Sequence, residues 1–194
     1  GILENLIDKL DLLLIGGAMA YTFLKVQGAS IGKSKIEEGK LDLVKTLLAR
    51  MEKKVVLKLP VDHVTAPTAL KPDPPTQKAV RSRDIPEGEY GYDIGPQTAQ
   101  LFKETLAKAK TVLWNGPLGV FENPLFAKGT EEVAVFLSQQ KGMTTVIGGG
   151  DTAAAIAHFG LTDKMTHVST GGGASLEFLE GKTLPGIAAL TDKK

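Results

Sequence analysis

Cysteine is absent from the 194 residues. Disulfide staples, thiolate catalysis and cysteine-ligated zinc are therefore excluded, and a cytoplasmic setting is favoured. No apolar run approaches the ~20 residues that a membrane-spanning helix requires, so no membrane association is expected. The opening residues, Gly1-Ile2-Leu3-Glu4-Asn5, carry neither the basic segment nor the cleavage motif of a secretory leader. Blocks of single-sign charge are also lacking: Lys and Arg number 23 against 22 Asp and Glu, for a net charge of +1. A nucleic-acid partner, which such a block would serve, is not expected, and any bound anion must be gripped locally. With 42% hydrophobic residues, a chain of this length can build its own core, and residues 1–194 read as one domain.

What is present is a repeated unit of short apolar run, glycine or polar turn, and amphipathic stretch. The runs are 12–15 before Gly16-Gly17, 55–59 before Pro60, 111–114 before Asn115-Gly116-Pro117, 144–147 before Gly148-Gly149-Gly150-Asp151, and 166–169 before Thr170 and the glycines 171–173. Their brevity and β-branched content predict strands. Apolar residues three and four apart predict helices near 41–53, 97–109, 129–140 and 152–159. Such alternation implies an α/β fold, a Rossmann-like three-layer arrangement of parallel sheet flanked by helices. Residues 61–95, with five prolines, break the pattern and read as an excursion outside the main sheet with a short strand near 78–81. At the start, Ile2, Leu3, Leu6, Ile7 and Leu10 recur at helical spacing and run at once into a buried strand, and the first residue is Gly rather than Met. Further sequence upstream is the expectation.

In a parallel sheet every strand points the same way, so the turns that follow the strands gather on one rim, where open α/β sheets bind ligands. Glycines there let main-chain N–H groups approach a phosphate, and each helix adds the positive end of its dipole. Glycine turns at 16–17, 148–150 and 171–173, with Asn115-Gly116-Pro117-Leu118-Gly119, favour a phosphorylated ligand over a plain need for tight turns. Asp151 has two readings, orienting a magnesium ion on phosphate oxygens or capping the next helix, and both can hold together. Glu122 could accept a ribose hydroxyl, although a solvated loop acid is the simpler reading.

Other signals carry less. Gly28 to Ser34 imitates a P-loop but has three residues between its glycines where four are needed, and it follows a helix. Gly148 to Ala153 fits a dinucleotide pattern, yet the next strand ends at Ser169-Thr170, where an acid should read the ribose, which leaves a nicotinamide enzyme as the runner-up. His63, His158 and His167 match no ligand spacing, and Trp114 reads as core.

At these turns the sequence resembles the phosphoglycerate kinases. The segments that carry the resemblance are 15–25 (IGGAMAYTFLK), 114–122 (WNGPLGVFE), 148–152 (GGGDT) and 167–177 (HVSTGGGASLE), extended by Leu59-Pro60-Val61-Asp62, Asp93-Ile94-Gly95-Pro96 and Leu184-Pro185-Gly186. The resemblance implies phosphoryl transfer between 1,3-bisphosphoglycerate and Mg-ADP, with this chain as the C-terminal, nucleotide-binding domain and an N-terminal phosphoglycerate-binding domain missing. It implies that Gly16, Gly17 and Ala18 lie beside adenine, with Gly91, Asn115 and Val120 completing the pocket. Glu122 would hold the ribose, and Gly149, Gly150, Asp151 and Thr152 the phosphates of ADP or ATP. Asp151 would serve Mg2+, and Gly171, Gly172 and Gly173 would meet the transferring group. Family members are usually monomers.

The sequence also departs from the family pattern. A strand and turn reading Lys-Val-Ser-Asp-Lys, expected just before Gly1, is absent with two phosphate-contacting lysines, as is the catalytic arginine of the other domain. The expectations are an inactive isolated chain and an exposed sheet edge or apolar groove. Leucines usually stand where this chain has Lys35 and Tyr92, both near the adenine slot.

Overall fold

A computed structural model of the chain describes residues 1–67, 78–80, 82–169, 171 and 173–190, with backbone alone for 78–80. The strands are β1 (Leu12–Leu14), β2 (Val56–Lys58), β3 (His63–Ala66), β4 (Lys78–Val80), β5 (Tyr90–Ile94), β6 (Thr111–Asn115), β7 (Thr144–Gly148) and β8 (His167–Val168). The helices are α1 (Ile2–Leu6), α2 (Gly17–Val26), α3 (Leu41–Met51), α4 (Pro96–Leu106), α5 (Lys128–Ser138), α6 (Gly150–His158), α7 (Gly173–Leu179) and α8 (Pro185–Ala188). Every strand and helix expected from the repeated unit is present, with ends shifted by up to three residues.

Parallel pairing joins β1 to β2 and, separately, β6 to β7 to β8. Among the described residues no strand is hydrogen-bonded to the outer edge of β1 or β6, so the parallel layer is interrupted between them. The two largest cores among the described residues correspond to the two parallel sheets. One gathers Phe102 of α4, Trp114 of β6, Val133 of α5, Ile147 of β7 and Ile156 of α6. The other gathers Ile7, Ile15, Phe23 of α2, and Leu47 and Met51 of α3. Helices thus cover the sheets through apolar stripes.

The excursion is a sheet of its own. Strands β4, β3 and β5 pair antiparallel in that order, with a bulge in the β3–β5 ladder between Val64 and Thr65. The expected strand near 78–81 is β4, while β3 and β5 were not anticipated. Buried Asp62, which precedes β3, fixes the chain beyond β5. Its carboxylate accepts the N–H of Gln97 at 2.9 Å and of Thr98 at 2.7 Å, capping α4 from the bend before β3, while Pro96 fills the first turn. Strand β5 enters α4 through Gly95, and β6 follows α4, so the excursion delivers the chain to the larger parallel sheet.

Candidate functional site

The turns after β1, β6, β7 and β8 meet on one rim. Gly16 is the N-cap of α2, and a Cβ added there would stand 2.6 Å from Leu118 Cδ2. Gly17 has φ +61, and its added Cβ would stand 2.8 Å from the Pro117 carbonyl oxygen. The 16–18 turn therefore abuts the 115–120 turn, with Ala18 exposed beside it. The latter turn joins the next one through Thr152, whose Oγ1 accepts the Gly116 N–H at 2.6 Å. Asn115 Oδ1 lies 2.5 Å from where a Gly149 Cβ would be. Ser169 N–H donates to the Ile147 carbonyl at 2.8 Å, which carries the rim on to Gly171.

Helix α6 opens at Gly149, whose φ of +82 lies in the region that glycine alone adopts readily. The N-cap residues of α6 and α2, Gly149 and Gly16, offer no side-chain cap. Asp151 is not the N-cap, which corrects one of its two readings: it is an exposed residue of the first helical turn. There its charge faces the positive end of the dipole, and its oxygens remain open to a ligand. Among the described residues no three His, Asp or Glu side chains surround a common point. A divalent cation would draw on Asp151 together with ligand oxygens and water, the arrangement that suits magnesium on phosphates.

The 115–122 turn is held from several sides. The Val120 N–H donates to the Tyr92 carbonyl at 3.0 Å, and Thr130 Oγ1 accepts the N–H groups of Leu118 and Gly119, each at 3.1 Å. Glu122 projects into solvent. On β5, the Gly91 N–H donates to Ser34 Oγ at 2.9 Å, and the Tyr21 hydroxyl occupies the room a side chain at Gly91 would need. Lys35, next to Ser34, is exposed, and the half-buried Tyr92 ring packs 4.9 Å from Phe126. Gly16, Gly17, Asn115, Val120, Gly149 and Thr152 are thus brought together, with Gly91 on the strand behind Val120. Gly171 is exposed at the far end of the rim, Gly173 begins α7, and Gly172 lies outside the described residues.

The remaining sequence signals resolve structurally. The P-loop imitation is a connection after α2 that bridges Ile31 to Ile85. Trp114 is core, its Nε1 donating to the Gly116 carbonyl at 2.7 Å. His63 is buried beside Tyr21, whereas His158 and His167 are exposed on other elements. Thr130 and Asp93 support the turn, yet the sequence assigned neither a role: Thr130 lies within a helical stretch, and Asp93 entered only as part of Asp93-Ile94-Gly95-Pro96. Two surface clefts lie away from the rim, one at Leu48, Met51 and Leu57 and one at Lys103, Glu132 and Phe136. Neither contains a glycine turn, so the hydrogen-bonding groups on the rim outweigh them as a ligand site.

A family model described as "Phosphoglycerate kinase" matches residues 1–182. The chain is 55% identical over 193 residues to the phosphoglycerate kinase of Lactobacillus delbrueckii subsp. lactis, covering all of this chain and 47% of that protein. It is 53% identical over 197 residues to that of Thermosipho africanus, covering 49% of it. The solved phosphoglycerate kinase of Coxiella burnetii superposes with a TM-score of 0.87 at 45% identity, over 96% of this chain and 48% of that one. For that of Pyrococcus horikoshii OT3 the values are 0.77 and 33%, over 97% and 47%. The chain spans about half the length of the curated relatives it matches.

Proposed function

Because the chain belongs to the phosphoglycerate kinase family, we propose that it is the half of such a kinase that holds Mg-ADP or Mg-ATP. The complete protein would transfer a phosphoryl group between 1,3-bisphosphoglycerate and ADP, with the phosphoglycerate held by an N-terminal domain outside this chain. The carrying observation is the meeting of the turns after β1, β6, β7 and β8 on one rim, with glycines that offer no side-chain cap, Gly16 and Gly149, at the N-caps of α2 and α6.

In this reading the 16–18 turn, Gly91, Asn115 and Val120 wall the base, and Glu122 accepts from the ribose. The N–H groups at 149–152 receive the phosphates, where the α6 dipole and aligned donors favour negative charge. Asp151 would hold magnesium, which when bound neutralises charge on the phosphate oxygens. Gly171 to Gly173 would offer main-chain donors to the migrating group. Phosphoryl transfer passes through a loose, charge-spread transition state, so positioned donors serve it better than a protein nucleophile. A cytoplasmic monomer fits this role.

Calorimetric titration with Mg-ADP tests the reading. Saturable heat that is abolished by chelation of the metal and strongly weakened by Asp151→Ala is expected, and a flat trace for the unaltered chain refutes it. The isolated chain is expected to show no turnover of 1,3-bisphosphoglycerate with ADP, because the lysines of the upstream strand and the arginine of the other domain lie outside it. Robust turnover would overturn that account.

A further inference from the structure

Asp93, on β5, is 1% exposed, and three elements converge on its carboxyl group. Oδ2 accepts the Gly129 N–H at 2.7 Å, at the start of α5, and Oδ1 accepts the Ile94 N–H at 2.9 Å. Gly119, in the turn after β6, has no side chain, and Asp93 Oδ1 fills the place its Cβ would take. The same oxygen fills the corresponding place at Gly129. Close approach leaves no room for a side chain at either position: the Asp93 carboxyl crowds both, joined by the Phe126 carbonyl at Gly119 and by Ile94 Cγ1 at Gly129. The carboxyl is thus a wedge between β5, the 115–122 turn and α5.

The same turn is tied to both neighbours by hydrogen bonds. Val120 N–H reaches the carbonyl of Tyr92, the residue before Asp93, and Thr130, next to Gly129, receives the N–H groups of Leu118 and Gly119. A shift of Asp93 must therefore displace Val120 from one side and the Thr130 hydroxyl from the other.

We propose that Asp93 is a positioning residue for the nucleoside: it touches no ligand, but its ionised carboxylate sets the height of the Gly119-Val120 turn against β5 and thereby the fit of the base. This rests on the nucleotide-binding reading above. Burial pushes the Asp93 carboxyl up to about 7, the N–H groups of Gly129 and Ile94 oppose that rise, and Glu132 of α5 adds to it. Other titratable neighbours are Tyr21 of α2 and Tyr92 of β5, with His63 of β3 paired opposite Ile94. Lys103 of α4 holds Glu132 at 2.9 Å, while Lys128, Glu131 and Glu122 are exposed. The anchor is strongest when the carboxyl is ionised, since both oxygens then accept without competition from a proton.

The test uses the full chain, wild type and Asp93→Asn, titrated with Mg-ADP on both sides of neutral pH. Asp93→Asn is expected to weaken Mg-ADP about tenfold above neutrality, the size of an ordinary coupling between sites. The ratio between the two proteins should shrink below neutrality, where the wild-type anchor is protonated. Equal affinity at every pH, with an intact fold, overturns the proposal. A second measurement needs no variant: in wild type the amide resonance of Val120 should titrate with the same midpoint as that of Gly129, and a flat Val120 overturns it even if Asp93→Asn does not fold. If wild type binds no Mg-ADP at all, the nucleotide reading fails by itself. The linked amide titration then decides whether Asp93 positions the turn.

Discussion

Asp62 has no exposed surface, and each carboxylate oxygen accepts from the start of α4. Asp62→Ala leaves the buried N–H of Thr98 and the part-buried N–H of Gln97 without an acceptor, a loss of about 2 kcal/mol. Urea unfolding checks this, with the midpoint falling and the slope unchanged. Asp93 makes stability depend on pH in the less familiar direction. Its native value of about 7 exceeds the ordinary 3.8, so the folded chain keeps a proton that the unfolded chain releases. Its contribution is complete below 3.8 and is lost as pH rises to about 7. His63 works the opposite way: burial lowers it from 6.5, so it favours folding less as pH falls through that value. Unfolding at about pH 5 and about pH 8 isolates Asp93 if Asp93→Asn is measured alongside. Wild type should lose stability relative to the variant between those two conditions. Neither role was legible in the sequence, because an acid in Tyr92-Asp93-Ile94 looks like a surface residue until its neighbours are known.

At the scale of elements, the helices over the parallel strands were legible from their apolar spacing, and the strands before glycine turns from their β-branched runs. Strands β3 and β5 were not. The first reads His-Val-Thr-Ala and the second Tyr-Gly-Tyr-Asp-Ile, and both bury polar groups that local composition assigns to loops. Thr65 and Glu89 are partners in that interior, a pairing that no period along the chain announces. The rim itself was legible because it depends only on strand direction and turn glycines. The members supplied by the excursion, such as Gly91 against Ser34, came from resemblance alone. The N-caps of α2 and α6 are glycines that supply no side-chain acceptor, so an anion would satisfy main-chain donors in their first turns. Saturating Mg-ADP, at about 100 times its Kd, is expected to stabilise the chain by about 3 kcal/mol. Hydrogen exchange should slow at the amides of 150–152, and an unchanged rate there would count against phosphate binding at α6.

At the scale of the molecule, the two parallel sheets and the core beside each share one rim, and among the described residues no ladder joins β1 to β6. Contiguous cooperative units of this kind open with separate free energies. Hydrogen exchange in denaturant should therefore divide the parallel strands into two groups, β1 with β2 and β6 with β7. A single isotherm for all of them would mean that the cores act as one. The contacts between the 16–18 turn and Pro117 and Leu118 join the groups at their glycine ends. A nucleotide seated on that rim would touch loops from either side of the division. It would then act as a rivet across an open seam, and a bound chain would come apart in one event where an empty one yields in stages.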